Sequence, residues 1–338
     1  MEELFQRAYC LSMDLRGMVG VVFLFSLFVF EVGSGVGGEK LSYDFYQESC
    51  PEVEDTVRVA VQSFSFSDPS TPAALLRLMF HDCQVQGCDA SILVDPCDPA
   101  EPSEMDSSKN FGIRKREAIG VIKSMVEAVC PLQVSCADII ILAAREAVAV
   151  AGGPRIAVPL GRRDSTTPPS SQLADTWLPT SNTGVDDMLK IFGQKGMTTE
   201  EAVAIMGAHT LGVTHCGSIK GRLDSQEGAG PMGPGLELML RLSCPFGPLT
   251  PNTSFLPNDP TTLVFDNLYY TNAMRGMGVL TIDAELPFDH RTAPFVRRFA
   301  ADPAQFFRVF ASAFVKLSSY GVLTGGEGVV REICHVRS

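Results

Sequence analysis

The chain has 338 residues, and its 39 acidic against 27 basic side chains give a formal net charge of −12 at pH 7. Nucleic acid and the anionic polysaccharide pectin are therefore excluded as tight partners, because both would be repelled. Residues 40–338 suffice for one large domain or two closely packed lobes, and they contain neither an internal repeat nor a low-complexity tract.

The first predicted segment is a leader over residues 1–39. An apolar run from Met18 to Phe30 follows Arg16 and precedes the small residues 33–38. Because the run is too short to span a bilayer comfortably, it is typical of a signal-peptide core, with a signal anchor as the competing interpretation. Met13 is a more ordinary secretory start, so we interpret residues 1–12 as an extension from an upstream start codon. The domain that remains is 40–338.

Helical periodicity dominates the rest of the chain and predicts a mainly α fold with few or no strands. The Gly- and Pro-rich stretches 228–235 and 245–260 are predicted surface loops, and Asn252 begins the only glycosylation sequon. In chain order, the predicted helices are 53–66, 71–82, 114–128, 136–150, 185–195, 199–210, 236–242, 266–274, 291–300 and 303–318.

The second predicted helix carries Arg77 and His81, four residues apart on one face. A neutral imidazole can take a proton from a bound acid and return it to a leaving group, and a guanidinium stabilises developing negative charge. The pair suits heterolysis of a peroxide O–O bond. The alternative is structural, with one snorkelling arginine and one core histidine.

The segment from Leu76 to Ser91 resembles the distal signature of the plant secretory haem peroxidases, also called class III peroxidases, except for Gln84 where Phe is usual. The resemblance extends from about Tyr43 to Cys334. It implies a two-lobed, all-helical fold with one haem b between a distal lobe carrying His81 and a proximal lobe carrying His209, and it places Phe80 at the haem. The other matching blocks are Val134–Ile139, Gly152–Pro154, Val158–Asp164, Gly207–Gly212 and Phe265–Tyr270.

His209 is the best placed of five histidines to ligate iron. It ends an amphipathic segment that opens with a capping-box pattern of Thr198 and Glu201. A satisfied core histidine is the alternative interpretation. The resemblance makes His209 the proximal ligand and Asp283 the acceptor of its second ring N–H, an arrangement that favours ferryl chemistry over dioxygen binding.

The resemblance also implies an asparagine that holds the distal histidine in its basic tautomer. We assign this role to Asn110, which lies one residue closer to Arg114 than the family pattern places it. Glu104 is its expected supporting acceptor. Asp138 and Arg162 are expected to form a buried structural ion pair.

A short loop after His81 alternates carboxylate, carbonyl and hydroxyl oxygens, which suits Ca²⁺. A polar turn held by Cys83 and Cys88 is the alternative, and the resemblance favours calcium. The expected distal ligands are Asp82, Val85, Gly87, Asp89 and Ser91.

The resemblance implies a second, proximal calcium. The family's usual first aspartate aligns on Asn258, with Asp259 next to it, and one carboxylate fewer predicts a weaker site. The other expected ligands are Thr210, Thr261, Val264 and Asp266.

The ten cysteines indicate an oxidising compartment, although their spacing alone leaves the connectivity open. Cys10 lies in the leader, and Cys97 is left over as an unpaired thiol. The pairs implied by the resemblance are Cys50 with Cys130, Cys83 with Cys88, Cys136 with Cys334, and Cys216 with Cys244.

Pro179 matches the family's proline whose carbonyl helps to hold aromatic donors. Gln84, Leu211 and Ile156 depart from the usual residues of the family, so an unfamiliar donor preference is expected.

The implied function is that of a secreted, extracellular or cell-wall, monomeric peroxidase. It would reduce hydrogen peroxide and oxidise small phenolic donors in one-electron steps through ferryl intermediates. No nucleic acid partner and no stable membrane association after signal cleavage are expected. The alternatives are a wall-associated binding protein of the same fold with little turnover, and a disulfide-rich metal-binding module without haem.

Overall fold

The computed structural model describes residues 40–96, 98, 101–224, 232–244 and 254–337. The predicted leader, Cys10, Cys97 and Asn252 lie outside these residues. In the described part the fold is mainly α, as predicted, and its only paired strands are β1 (Val213–His215) and β2 (Phe255–Pro257), which run antiparallel with Thr214 opposite Leu256.

The helices of the described part are α1 (Val53–Ser67), α2 (Thr71–Gln84), α3 (Arg116–Val129), α4 (Cys136–Val150), α5 (Ser171–Trp177), α6 (Val185–Gly193), α7 (Thr199–Met206), α8 (Lys220–Asp224), α9 (Pro234–Ser243), α10 (Leu268–Met274), α11 (Thr281–Glu285), α12 (Ala293–Ala301) and α13 (Pro303–Ser318). Short 3₁₀ turns lie between them at Ser91–Leu93, Glu104–Asp106, Ser108–Asn110, Gly207–Thr210 and Cys216–Ile219.

Helix starts follow local capping chemistry. The Ser135 hydroxyl accepts from the Asp138 N–H at the start of α4, and Asp302 caps α13 through the Gln305 N–H. At α7 the predicted capping box of Thr198 and Glu201 is formed, with both reciprocal bonds present. These caps satisfy N–H groups that have no partner within their own helices.

Helices α1 to α4 form the distal group, in which α4 packs against α1, α2 and α3. Nearly every residue of α4 is buried, from Cys136 to Val148, so this helix is apolar on all sides and lies at the centre of the group.

The proximal group contains α7, α10, α12 and α13, and α13 also contacts α2. Its centre is aromatic: the Phe265 ring stacks on Phe306 at 5.5 Å and meets Phe310 edge to face at 4.7 Å. One continuous apolar core joins the two groups.

The described residues contain four disulfides, and their pairings are those that the resemblance implies. The longest connection in sequence joins Cys136, at the start of α4, to Cys334, 198 residues later. The chain's last described segment is therefore tied to its central helix.

The expected ion pair between Asp138 and Arg162 is confirmed. Arg162 Nη1 lies 2.8 Å from Asp138 Oδ1, and neither side chain has any exposed surface. Arg162 Nε also donates to the Ser318 carbonyl at the end of α13, and Tyr46 donates to Asp138 Oδ2. The pair connects three distant segments. Its other side-chain polar atoms are hydrogen-bonded, and Arg162 Nη2 is buried without a partner among the described residues.

The ten predicted helices are all present. Helices 136–150 and 303–318 have the predicted bounds, and the others have shifted ends. The predicted helix 199–210 stops as an α-helix at Met206 and continues as the 3₁₀ turn Gly207–Thr210. Among the described residues, no helix is long and apolar enough to cross a membrane.

Candidate active site

Helix α2 places Arg77 and His81 side by side. The Arg77 Nε–H donates to His81 Nε2 at 3.2 Å, and Arg77 Nη2 donates to the Phe111 carbonyl at 3.0 Å. The second bond holds the guanidinium against the segment that follows Asn110, so its orientation does not depend on His81 alone.

Asn110 faces the other nitrogen of the His81 ring. His81 Nδ1 lies 2.7 Å from Asn110 Oδ1, and Asn110 Nδ2 donates to the Glu104 carbonyl at 2.7 Å. The second bond fixes which end of the amide meets the ring, so Nδ1 carries the proton and Nε2 keeps its lone pair. Glu104 supports Asn110 through its backbone carbonyl; the carboxylate interacts with Ser91 and Asp89 instead.

Burial lowers the pKa of His81 to about 3, and repulsion by Arg77 adds to the effect, while the bond to Asn110 opposes it. Burial also lowers the pKa of Arg77 to about 10. At neutral pH the site therefore holds an uncharged imidazole beside a guanidinium cation, which are the states that proton abstraction and anion stabilisation require.

His209 lies in the 3₁₀ turn after α7. Its Nδ1 is 2.8 Å from Asp283 Oδ1, which also accepts from the Tyr269 hydroxyl at 2.8 Å. The second oxygen, Asp283 Oδ2, accepts from the Leu280 N–H at 3.1 Å. Three donors thus fix the buried carboxylate, and the carboxylate fixes the imidazole.

Burial disfavours the charged forms of both His209 and Asp283, but the attraction between the two charges has the larger total effect on their pKa values. The pKa of His209 is raised and the pKa of Asp283 is lowered. The carboxylate therefore remains ionised next to the ring, and it makes the opposite nitrogen, Nε2, more basic.

Arg77 and His209 are deeply placed and yet accessible. Burial by surrounding protein strongly lowers the pKa of Arg77, although its side chain is exposed. Likewise, 30 % of the His209 side chain is accessible although desolvation is the largest single influence on its pKa. Side chains that are both deep and accessible line an internal opening, so Arg77 and His209 face such an opening. Arg77 is also close enough to His209 to lower its pKa slightly against the effect of Asp283.

The model of the family described as peroxidase matches residues 53–302. The chain belongs to the peroxidase family. Peroxidase 29 of Arabidopsis thaliana is 55 % identical over 300 residues, which cover 88 % of this chain and 88 % of that protein. Peroxidase 28 of the same plant is 40 % identical over 318 residues, covering 93 % and 97 %.

These relationships confirm the assignment to the plant secretory (class III) peroxidases. The chain is a haem-dependent oxidoreductase that acts on hydrogen peroxide. A binding protein with little turnover is not favoured, and neither is a metal-binding module without haem. The family implies haem and calcium as cofactors.

The cleft of this peroxidase fits a haem. His209 Nδ1 is engaged by Asp283, so Nε2 is the nitrogen available to iron. Phe80 is half-buried on the distal side, where its ring packs edge to face against His81 at 5.7 Å. An imidazole with a carboxylate behind it, an aromatic ring and an accessible guanidinium form a donor set that suits an iron porphyrin.

The distal loop of the peroxidase brings together the buried carboxylates of Asp82 and Asp89. Attraction by Arg331 offsets their burial only in part. Asp82 Oδ2 accepts from the Ala90 N–H at 3.2 Å, whereas Asp82 Oδ1 is buried and has no partner among the described residues. Burial and repulsion by Asp89 and Glu104 raise the pKa of Asp82 well above its usual range. Burial likewise raises the pKa of Glu104 to about 7. An oxygen-rich site with an unpaired carboxylate oxygen fits a hard cation.

The backbone of this loop has little freedom. Gln86 and Ala90 have positive φ values of 69° and 59°. At Gly87, with φ 121°, a Cβ atom would lie 2.0 Å from the Gly321 carbonyl oxygen. Only glycine fits there, and the loop is held at both ends by Cys83–Cys88 and by the 3₁₀ turn that begins at Ser91.

The proximal group of oxygens forms around two carboxylates. Thr210 Oγ1 lies 2.9 Å from Asp259 Oδ2 and 3.2 Å from Asp266 Oδ1, and Thr261 Oγ1 lies 3.2 Å from an oxygen of each. Burial raises the pKa of Asp259. This donor set also fits calcium, and Thr210 directly follows His209.

Asn258 faces a different group of atoms from Asp259. Its Oδ1 accepts from Thr214 Oγ1 at 2.6 Å, and its Nδ2 donates to the Leu211 carbonyl at 3.1 Å. The structure therefore brings Asp259 into the proximal oxygen cluster and gives Asn258 a structural contact with β1. The Val264 N–H donates to the Thr261 carbonyl at 2.7 Å, which closes the turn between Thr261 and Asp266.

Two residues of the site had no role in the sequence analysis. Tyr269 donates to Asp283 and meets the His209 ring edge to face at 6.1 Å. Arg222 donates to the Gly278 and Val279 carbonyls, just before α11, which carries Asp283. Tyr269 lies in a matching family block, which was a usable signal, whereas Arg222 gave none.

Proposed function

We propose that the peroxidase comprises a leader, 1–39, and a haem domain, 40–338, and that it is secreted as a monomer. It would act outside the cell or in the cell wall, with one haem b and two calcium ions, and it would oxidise small phenolic donors. The observation that carries this proposal is the pair of fixed histidines: Asn110 holds His81 Nδ1 and Asp283 holds His209 Nδ1, so each ring keeps Nε2 for the haem side.

His81 would take a proton from hydrogen peroxide through Nε2. Asn110 supports this role because it occupies Nδ1 and leaves Nε2 as the acceptor. Arg77, which already donates to Nε2, would then stabilise the departing oxygen as negative charge develops on it. The same imidazolium would return its proton to that oxygen, so the leaving group departs as water.

His209 would ligate the haem iron through Nε2, with Asp283 behind it. Bound haem supplies the two-electron reaction with peroxide and the one-electron oxidation of donors. Asp283 would raise the electron donation of His209, and Tyr269 would temper it because it shares the same carboxylate oxygen.

The distal calcium would be held by Asp82, Asp89, Ser91 and the carbonyls of Val85 and Gly87. The unpaired Asp82 oxygen and the raised pKa of that carboxyl support this assignment. The proximal calcium would use Thr210, Asp259, Thr261, Asp266 and the Val264 carbonyl.

Pro179 would hold the donor at the rim of the cleft. It is half-buried and directly follows Leu178, at the end of α5. Small aromatic donors fit this position because they could remain at the rim while the peroxide reaches His81.

The test is the absorption spectrum of the haem-loaded, calcium-loaded mature protein during addition of one equivalent of hydrogen peroxide, followed by guaiacol. We expect prompt loss and red-shift of the Soret band, reversed by guaiacol. A ferric spectrum that peroxide does not change would contradict the proposed roles of His81 and Arg77. A protein that takes up no haem would contradict the role of His209.

A further inference from the structure

Helix α5 ends at Trp177, two residues before Pro179, and the Asp175 carbonyl in its last turn has no backbone partner among the described residues. The Asp175 carbonyl would normally accept from the N–H of residue 179, but that residue is proline and has none. The Leu178 N–H still donates to the Ala174 carbonyl at 3.0 Å. The one bond lost to proline is therefore that of the Asp175 carbonyl, at the segment that leads to Pro179. Carbonyls at a helix end need other donors.

Lys109 supplies one of these donors. Its Nζ donates to the Asp175 carbonyl and to the Leu178 carbonyl, each at 2.5 Å. A lysine at a helix C-terminus is favourable for its charge as well as for its hydrogen bonds. The backbone on both sides of Trp177 is thus held by one ammonium group.

Gln84 holds the carbonyl between these two. Its Nε2 donates to the Trp177 carbonyl at 2.9 Å from the buried C-terminal end of α2. The phenylalanine that the family usually has at this position could not make this bond. In this peroxidase, side-chain donors from two other segments therefore fix the carbonyls of Asp175, Trp177 and Leu178.

The Lys109 side chain acts on the rim and not on Asn110. The Asn110 N–H is held by the Ser107 carbonyl at 3.0 Å, and its side chain is held by the Glu104 carbonyl. The Lys109 N–H bonds the Ser107 hydroxyl through the backbone, which any residue could do. Removing the ammonium group would release the Asp175 and Leu178 carbonyls and leave the contact between Asn110 and His81 in place.

We propose that Lys109, assisted by Gln84, is a positioning residue for the donor rim formed by Trp177, Leu178 and Pro179. It fixes the carbonyl-bearing backbone against which a phenolic donor binds, with the indole of Trp177, 45 % exposed, beside it. This inference rests on the proposed binding of donors at Pro179. It makes Lys109 and Gln84 determinants of donor selectivity in this chain.

The experiment is Lys109→Met in the haem- and calcium-loaded enzyme. Two quantities are measured: kcat/KM for guaiacol at saturating peroxide, and the rate of the Soret change with one equivalent of peroxide. We expect kcat/KM for guaiacol to fall about tenfold through KM, the effect of losing roughly one charge-assisted hydrogen bond. The peroxide rate should change less than about twofold.

Lys109→Arg should recover most of the guaiacol value, because a guanidinium can donate to two carbonyls. Lys190→Met, on the exposed face of α6, is the matched control and should change neither quantity. Gln84→Met should lower kcat/KM for guaiacol about threefold, and it provides an independent reading if the lysine variant does not fold.

The inference is overturned if Lys109→Met, or Gln84→Met in its place, lowers thermal stability but leaves kcat/KM for guaiacol unchanged. It is also overturned if the peroxide rate falls as much as the donor rate, since Lys109 would then act through Asn110. Failure of the proposed function looks different, because the wild-type enzyme itself would then not oxidise guaiacol.

Discussion

The His81 imidazole combines two requirements that oppose each other. In its proposed role Arg77 lies close to stabilise negative charge, yet burial, reinforced by this cation, lowers the pKa of His81 to about 3 and so weakens it as a base. Asn110 moderates this cost, because its bond to Nδ1 raises the pKa. The proton can leave peroxide despite this low basicity only if Arg77 stabilises the products.

Substitution of the base tests its role directly. His81→Ala should keep the Soret absorbance of bound haem and slow the reaction with peroxide by about 10²- to 10⁴-fold, the usual contribution of a positioned general base. Stopped-flow absorbance with stoichiometric peroxide measures the rate. His290→Ala, at an exposed position, is the control. A variant of His81 that reacts at the wild-type rate would remove it from the mechanism.

The pH dependence follows from the same pKa. Since the pKa of His81 is lowered to about 3, the neutral imidazole persists far below its ordinary range. The peroxide rate should therefore be level from neutral pH to about pH 4 and fall at lower pH, as the ring is protonated. Asn110→Val should move this fall to still lower pH and slow the plateau rate. Rapid pH-jump mixing measures both, and an inflection near pH 6.5 would contradict the assignment.

At the residue scale, the sequence could identify most of the site but not its orientations. The spacing of Arg77 and His81 predicts a shared helix face. The block Gly207–Gly212 identifies His209, and the resemblance to the family aligns Asp283 as its partner. Whether Asn258 or its neighbour Asp259 faces the proximal oxygens depends on the direction of one turn, which no local pattern specifies. The contact of Lys109 with α5 joins residues 66 positions apart, so it too was outside the reach of spacing arguments.

At the scale of elements, the long helices were predictable, whereas the three short helices α5, α8 and α11 were not. A periodic apolar face needs about two turns to be recognised, and α5, α8 and α11 have five to seven residues each. The α7 boundary was missed for a physical reason: at Gly207 a Cβ atom would lie 2.5 Å from Phe306 and from the Tyr270 hydroxyl. This close packing accompanies the change to a 3₁₀ turn, which presents His209 to the cleft.

The distal loop is the element whose stability should depend most on an ion. Without calcium, Glu104 has a pKa of about 7, above its ordinary value of 4.5, so the folded state binds its proton more tightly than the unfolded state does. This stabilisation is present below about pH 4.5 and is lost as the pH rises through about 7. Calcium offsets the repulsion that then develops with Asp89.

Calcium removal should therefore destabilise the protein more at pH 8 than at pH 5. We expect the free energy of unfolding to be roughly 3 kcal/mol higher for the calcium-loaded than for the calcium-depleted protein at pH 8, when free calcium is a hundredfold above its Kd. The gain should be smaller at pH 5. Thermal unfolding of calcium-depleted and calcium-loaded protein at both values measures it. Glu104→Gln should reduce the pH dependence of the depleted form. If calcium removal destabilises the protein equally at both pH values, Glu104 is excluded from the carboxylates that the distal calcium would stabilise.

At the scale of the whole molecule, long-range covalent and ionic links hold together segments that are far apart in sequence. Cys136 begins α4, and its partner Cys334 lies in the last described segment. The neighbouring Arg331 N–H donates to Asp164 Oδ2, which also accepts from the Cys136 N–H. The chain end, the central helix and the strand-like segment before α5 thus meet at one buried carboxylate.

The length of the closed loop should determine how much each disulfide contributes. In the chain-entropy account, Cys136–Cys334, separated by 198 residues, contributes about 5 kcal/mol, and Cys83–Cys88, separated by five, contributes about 2 kcal/mol. We expect the loss of unfolding free energy in Cys136→Ala/Cys334→Ala to be roughly twice, or somewhat more than twice, the loss in Cys83→Ala/Cys88→Ala. Equilibrium denaturation in guanidinium chloride, with haem saturating and with calcium either depleted or saturating, measures both.

The two variants separate chain entropy from local architecture, because Cys83–Cys88 lies in the proposed distal calcium loop and Cys136–Cys334 joins other segments of the chain. If the short pair is the more costly to remove, its main effect is to hold the calcium ligands, and adding calcium should then recover part of the loss. Recovery should be absent for Cys136→Ala/Cys334→Ala, since its loss comes from the greater freedom of the unfolded chain.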